Sequence, residues 1–516
     1  MNQNNISAAE LFLRVRELLI LPELEPKTRN KMMHDTLILC CHEGVKDTKQ
    51  AFGNLFSQVD YLCKARGIKV ADKIAIQTMR RHSNSQEPLS SEDLKYDARA
   101  LAIFISAVFG VDVPHELNVL IPHTNRPYQK GLEINNRRIR CIVKNWDSDF
   151  IRVDIDQDAD EEEYLVQLKD EENHIDHTYL WDILKEGMQL NLLDCQVKQP
   201  VITPRLIVVE PDYLVDISSI ATCFTAFGHH PLLYLLNQMK PRANTQATLL
   251  GNFAGAALDD IINTNGKYQM NETIKTNFRE KALEFCTCPW FDAKKFYTDA
   301  NQQAFNLQQV VDILFPRTAS QAQMSAFRGE SLYDRKKAIL EPSFVCEALG
   351  IQGRVDLMTT DCKLLVEQKS GRNMNIETHQ VDPGYHSYQL EPHYVQLLLY
   401  YGVLQHNFKL SNDRVNIRLL YSKYRPQDGL MVVAYYQKLF KEAIQYRNQL
   451  VAASFEIAKE GFEHALNEFT PEVLNVAGTQ DFFYNKYLKP QIEAITKPLH
   501  TLSPLEEAYF CRMMTF

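Results

Sequence analysis

The sequence predicts a mixed α/β chain in three parts: a helical amino-terminal part, a small β-barrel, and a larger unit with a mixed central sheet flanked by helices. Three observations predict it. Apolar residues recur at helical spacing through roughly the first 115 positions. Short segments that alternate polar and apolar residues follow, from about 120 to 212. Further on, an apolar strand, Leu364-Leu365-Val366, runs straight into Glu367 and Lys369.

At 516 residues the chain has room for about three domains of roughly 100–200 residues each. Its composition, 45% apolar and 23% charged, is that of an ordinary globular protein. No apolar run approaches the roughly 18–20 residues that span a bilayer, so no membrane partner is expected. The opening MNQNNISAAELF lacks a basic region followed by an apolar run and is not a secretory signal. The eleven cysteines are then expected as reduced thiols in a cytoplasmic protein. A net charge of −9 gives no global signature of nucleic-acid binding. It does not exclude an enzyme acting on DNA, because a local basic groove or a metal ion can supply the positive charge.

Residues 1–118 read as a helical interaction domain. Leu11, Leu13, Val15, Leu18 and Leu19 form an apolar start that Pro22 and Pro26 break. Leu37 to Cys41, Phe52, Leu55, Phe56, Val59, Leu62 and Cys63 continue at helical spacing. A further helix is expected over 92–108, with Ser91 as its N-cap. Arg80-Arg81-His82 reads as a solvated helix end.

Residues 119–212 read as an OB-like β domain. Strands are expected near 138–144, 150–155, 163–168, 188–193 and 206–210, and a short helix at 179–184 interrupts the later ones. Five strands with an internal helix follow the plan of an OB-fold. Such barrels often bind single strands through aromatic and basic residues, here Arg138, Arg140, Lys144, Trp146 and Arg152. A barrel that serves only as scaffold is the other reading. The acidic run 154–163 is expected to be a solvated hairpin.

Residues 213–480 form the largest unit. A helix begins near 216, with Ser218 or Ser219 capping it, and another over 249–262 carries small residues on one face. Helical material continues to 340. Further strands are expected near 415–421 and 429–435, then a long helix from 436 to about 460 that carries Arg447 and Asn448. The tail, 481–516, is amphipathic and helical. Ser503-Pro504-Leu505-Glu506 is a capping-box start. The apolar end Met513-Met514-Thr515-Phe516 suggests docking, or a junction to a helicase.

The candidate site falls between 341 and 401. Strands are expected at 353–358 and 363–369, joined by a turn at 359–362. Side chains two apart on a strand share a face, so Glu367 and Lys369 point the same way, and the hairpin can bring Asp356 beside them. Charges on a buried strand need a partner or a metal. Spacing alone leaves open a structural ion pair at a strand end.

These residues, with Ser370-Gly371 and a later Gln396-x-x-x-Tyr400, resemble the PD-(D/E)xK nucleases. They are closest to the RecB-type branch, which has G-hydrophobic-D, E-x-K-[ST]-G and Q-x-x-x-Y in this order. Over roughly 120–450 the chain is similar to the nuclease half of replication- and repair-type helicase–nucleases. The resemblance implies a DNA nuclease core in which Asp356, Glu367 and the Gln368 backbone carbonyl bind Mg²⁺ or Mn²⁺. Lys369 is implied to orient the attacking water or stabilise developing charge. Gln396 and Tyr400, on one helix face, are implied to contact DNA or to fix Lys369 and Glu367. Glu341 matches an acidic residue that tunes the metal site, and His393, one turn before Gln396, is a candidate phosphate contact that more often is a surface residue.

The chain departs from the family twice. Where many relatives have G-x-x-x-H on an early helix, Gly255 stands at the His position, and Asp259 or Asp260 is the substitute one turn later. The two carboxylates Asp356 and Glu367 are then expected to do most of the metal binding. Relatives with an iron–sulfur cluster place one Cys before the core and three after it. Here Cys223 matches the first, but after Cys362 only Cys511 remains, and Cys286-Thr287-Cys288 is too short for a zinc knuckle. Neither a cluster nor a structural zinc is expected. A G-x-x-x-x-G-K-[ST] loop is missing, so no ATP site is expected and a superfamily-1 helicase is expected as a separate chain or continuing part. The expected activity is cleavage of single-stranded ends or flaps in repair, recombination or phage defence. The alternatives are a catalytically inactive single-strand-binding module and a restriction-type endonuclease.

Overall fold

The computed structural model describes the chain except residues 1–5, 21–23, 86, 127–131, 156–162, 226–227, 240–242, 265–266, 382–386, 411–413, 471, 475–481, 483 and 500. Pro22 and the acidic run from 156 to 162 therefore lie outside the described residues. Among those described, the chain is mixed α/β, with a small closed barrel and a larger mixed sheet. No described helix is long and apolar enough to cross a membrane.

In the amino-terminal part, the helices Ala8–Ile20, Pro26–Val45, Leu55–Ala65, Val70–Asn84 and Ser91–Phe109 pack around Leu11, Leu37, Leu62, Ile76 and Leu101. Ser90, not Ser91, caps the last of these. Its hydroxyl accepts from the Asp93 amide at 3.0 Å, and Asp93 accepts from the Ser90 amide at 3.2 Å. The reciprocal box needs an acidic residue three positions after the cap, and Asp93 fixes Ser90 by that spacing. Arg80 is no solvated helix end either: it is half-buried, its guanidinium lying 5.2 Å from the centre of the Phe56 ring.

Phe52, expected at helical spacing, lies instead on a short strand, Ala51–Phe52, which pairs in parallel with Leu430–Val433. The Gly53 amide donates to Val432 O at 3.0 Å, and the Tyr388 amide donates to Gly53 O at 2.7 Å. A Cβ at position 53 would sit 2.1 Å from Gln389 Oε1, so any larger residue there would push the Gln389 amide aside. The helical part is thus sewn onto the edge of the main sheet.

The strands Asn136–Trp146, Phe150–Ile155, Tyr164–Gln167, Gln189–Lys198 and Val201–Val209 close the barrel. Taken in chain order, their neighbours run first, second, third, fifth, fourth, and only the third–fifth pairing is parallel. Alternation turns Cys141, Val143, Ile151, Val153, Leu190 and Leu192 inward. The helical turn Thr178–Asp182, between the third and fourth strands, adds Leu180 to that core. Of the cations expected to meet DNA, Arg140 holds Asp212 at 3.0 Å, Lys144 holds Asp154 at 2.6 Å and Arg152 holds Asp147 at 3.2 Å. Trp146 packs against the barrel core.

The barrel is bolted to the main unit by the long helix Gln437–Glu460. Arg447, fully buried, donates to the carbonyls of Val209, Glu210, Tyr213 and Gly350. Asn448 donates to Ile207 O at 2.8 Å and accepts from the Val209 amide at 3.0 Å. Burial lowers the Arg447 pKa to about 9, against the opposing charge of Glu210.

The main sheet has the order Ala51–Phe52, Leu430–Val433, Asn416–Tyr421, Leu364–Lys369, Leu357–Thr359, Ala338–Leu340. One face packs Leu364, Val366 and Leu420 on Phe253 and Leu307 of the helices Gln246–Asn263 and Ala293–Leu314. The other packs Leu365, Ile417 and Leu419 on the helices Glu391–Phe408 and Gln437–Glu460. The single strand expected at 353–358 is two. Ile351–Arg354 joins Ser343–Cys346 and Val215–Asp216 in a separate small sheet, while Leu357–Thr359 belongs to the main one. The opposing segment of the chain is what splits them. Glu341 takes a left-handed φ of 47° and Pro342 has no amide to donate, so the regular antiparallel pairing is interrupted there, bridged by Glu341 N–H to Asp356 O at 3.0 Å and Val355 N–H to Pro342 O at 3.3 Å. Val355 and Asp356 occupy the gap. The turn falls later than expected, at 360–363.

Candidate active site

The gap between the two sheets creates the site. Asp356, its backbone carbonyl held by the Glu341 amide at 3.0 Å, turns its carboxylate to the next strand and accepts from the Gln368 amide at 2.5 Å. Glu367 and Lys369 share a face of that strand, as alternation requires, and Lys369 Nζ lies 2.7 Å from Glu367 Oε1. The helix Glu391–Phe408 crosses above them. From it, Gln396 Oε1 accepts from Lys369 Nζ at 2.8 Å. One turn later, Tyr400 donates to Arg354 O at 2.6 Å and so pins the strand end at the gap. Gly353 lets that ring come close, since a Cβ there would stand 2.9 Å from Tyr400 Cε1.

The electrostatics are those of carboxylates crowded out of water. Glu367 is 2% exposed. Burial, and then the charge of Asp356, push its pKa up to about 8, against the opposing pull of Lys369. Burial also raises Asp356, with the Gln368 amide and Lys369 opposing it. Glu367 Oε2 is buried and accepts no hydrogen bond. A buried carboxylate oxygen with no donor is costly, so the arrangement as it stands lacks a positive or donating group at that point.

Glu341 is exposed, pairs with Arg354 at 3.0 Å, and donates its amide to Asp356 O at 3.0 Å. His393 is held by a tyrosine of the neighbouring strand. It is half-buried, its Nδ1 3.0 Å from the Tyr421 hydroxyl. Burial, and then Lys369, push its pKa down to about 3, which keeps the ring neutral.

The early helix resolves the choice between Asp259 and Asp260. Gly251 packs near Ser370, where an added Cβ would meet Oγ at 3.1 Å, and an added Cβ at Gly255 would meet nothing within 4 Å. Asp259, one turn further, is half-buried, and its pKa is raised to about 7 by burial, then by Glu341 and Asp356. Asp260 is exposed and accepts from Thr273. Of the two, Asp259 is therefore the one that feels the charge of Asp356.

A second group, unexpected from the sequence, supports the strand from behind. Gln303 donates to Ser370 O at 3.1 Å, Ser422 donates to Gln303 Oε1 at 2.6 Å, and the Gln368 side chain donates to Ser422 Oγ at 3.0 Å. Isolated Gln and Ser residues on a helix and a strand carry no pattern that would single them out.

Among the described residues, no three or more His, Cys, Asp or Glu side chains stand together as a ready metal cage. The donor set nevertheless suits a hard cation such as Mg²⁺: oxygens only, two of them on buried or half-buried carboxylates, one orphaned at Glu367 Oε2. Mg²⁺ usually retains several waters and takes one or two carboxylates, so a full protein cage is not required.

Compared with models of known protein families and with curated proteins, the chain matches none of them.

Proposed function

We propose that the chain is a metal-dependent deoxyribonuclease of the PD-(D/E)xK type, RecB branch, that hydrolyses phosphodiesters at single-stranded ends or flaps and works with a superfamily-1 helicase. The observation that carries this reading is the buried, partnerless Glu367 Oε2 beside Asp356 and Lys369. A buried carboxylate oxygen with no donor is costly, and a cation bound there would satisfy it.

In this reading Asp356, Glu367 and the Gln368 carbonyl hold Mg²⁺ or Mn²⁺, which polarises the phosphate and lowers the pKa of bound water. Lys369, held between Glu367 and Gln396, is positioned to orient a water or balance charge on the phosphoryl oxygens. Gln396 sets the Lys369 rotamer, and Tyr400 holds the strand end that carries Asp356. Asp259 and Glu341 add negative potential that favours a divalent cation. The OB-like barrel would steady the substrate; with Arg140, Lys144 and Arg152 already facing carboxylates, its contribution to affinity is small.

One observation favours a second reading, a single-strand-binding module that keeps the nuclease fold: the absence of a cage of three ligating side chains among the described residues. A cleavage assay on single-stranded, flapped and duplex DNA separates the two. Wild type should cleave with Mg²⁺ or Mn²⁺ and not with EDTA. Asp356→Ala and Lys369→Ala should each lose roughly 100-fold or more. Equal product from wild type and both variants removes the nuclease reading.

A further inference from the structure

The helix Gln246–Asn263 lines the candidate site along its length. Asp259 lies toward Glu341 and Asp356, and Gly251 lies against Ser370, which follows Lys369. At Gly255 between them the face is open. A strand laid along this face past Ser370 leaves the site at the Gln246 end, roughly 7.5 Å beyond Gly251 at 1.5 Å per residue.

A fixed loop waits there. Gln246 Oε1 accepts from the Asp292 amide at 2.9 Å, and Asn244 donates to Thr287 Oγ1 at 2.7 Å. On this loop Trp290 is 97% exposed and takes a left-handed φ of 58°. Both features oppose ordinary folding preferences. A bulky residue avoids φ above zero, and the largest side chain avoids water. The adjoining Phe291 packs with Phe278, Phe285 and Phe296, and Trp290 stays outside that cluster. The indole is held out by a rigid base.

Its neighbours are cationic. Asp292 caps the helix Ala293–Leu314 by accepting from the Lys295 amide at 3.0 Å, and the first turn exposes Lys294 and Lys295. The same helix carries Gln303, which holds Ser370 O. The loop is therefore tied to the end of the catalytic strand through two helices.

We propose that Trp290 is a stacking platform for one base of single-stranded DNA, with Lys294 and Lys295 on the adjoining phosphates. It guides the strand that passes along the Gln246–Asn263 helix. An exposed ring followed in the chain by two exposed lysines fits a base and its phosphates. The inference rests on the nuclease reading, since it places DNA in that site.

The test is binding of a fluorescent thymidine oligonucleotide of about 20 nucleotides, in EDTA so that no cleavage occurs. Trp290→Ala should weaken binding about 5- to 100-fold, and Trp290→Phe should keep most of the affinity. Lys294→Gln with Lys295→Gln should flatten the salt dependence by about 1.4 in log–log slope. Tight binding by Trp290→Ala overturns the platform while leaving the nuclease reading intact. Equal loss in the Ala and Phe variants also overturns it, because stacking is sequence-tolerant but loop damage is not. If wild type binds no single strand and cleaves nothing with Mn²⁺, the nuclease reading fails and the platform fails with it.

Discussion

Replacing Glu367 by Gln probes the site without changing its shape. In the folded, metal-free protein, burial and Asp356 hold Glu367 at a pKa of about 8, against 4.5 for the ordinary side chain. A raised carboxylate pKa means that the folded state keeps a proton the unfolded state has released. Stability is then lost as pH rises from about 4.5 to about 8. The full difference is on the order of 5 kcal/mol. Gln is the shape of the protonated form and carries no such term. In EDTA, Glu367→Gln should therefore resemble wild type at pH 5 and exceed it at pH 9, by up to a few kcal/mol. Saturating Mn²⁺ should reverse the order, because only the carboxylate gains from the cation. The measurement is the unfolding midpoint of both proteins at the two pH values, with EDTA and with Mn²⁺. A variant less stable than wild type at pH 9 in EDTA would refute the electrostatic argument. Equal stabilisation of the two proteins by Mn²⁺ would refute the placement of the ion.

Other sites give independent outcomes. His229 faces Glu442 at 2.6 Å and Glu391 at 2.9 Å; burial lowers its pKa, but the two carboxylates win and raise it to about 9. Its contribution, on the order of 3 kcal/mol, is complete below about pH 6.5 and lost as pH rises through 9. His229→Gln should flatten the unfolding midpoint across that window. Arg447→Met removes one donor from each of the carbonyls of Val209, Glu210, Tyr213 and Gly350, although Glu210 O and Gly350 O keep the Tyr213 and Val215 amides. A loss of roughly 3 kcal/mol or more, with faster proteolysis between 209 and 215, is expected. Tyr400→Phe removes one hydrogen bond to Arg354 O and should cost about 1–2 kcal/mol. It should lower cleavage while Mn²⁺ binding, read by calorimetry, persists; unaltered cleavage would show that the strand end at Asp356 holds without it.

Much of this architecture is legible in the residues, and the gaps have physical causes. The barrel strands follow from two-residue alternation, and Ser503 with Glu506 caps the last helix as the motif requires. Glu367, Lys369 and Gln396 meet because strand and helix periodicities put them on facing surfaces. The break at Val355-Asp356 is invisible, because Gly353, Val355 and Leu357 keep an unbroken alternation while the opposing segment turns away at Glu341. Ala51–Phe52 is too short to carry any period, and its partner is remote. Arg447 looks like one more charge on a long helix until the carbonyls it serves, from two other segments, are folded onto it. Asp259 and Asp260 are adjacent and alike in sequence, and only the rotation of the helix tells them apart.

The short pairing of Ala51–Phe52 with Leu430–Val433 has a consequence for how the chain is made. Nearby, Ala434 donates its amide to Ser57 Oγ across 377 positions of sequence. On the ribosome, the amino-terminal helices emerge long before the strand they cover. At roughly 5–20 residues per second, they wait tens of seconds for it. Leu430–Val433, once synthesised, presents an open apolar edge until the early segment returns. Deleting the helical lobe would therefore remove a cover as well as a domain, leaving a strand edge free to pair between molecules. The shortened protein should aggregate on expression even though every proposed catalytic residue is present.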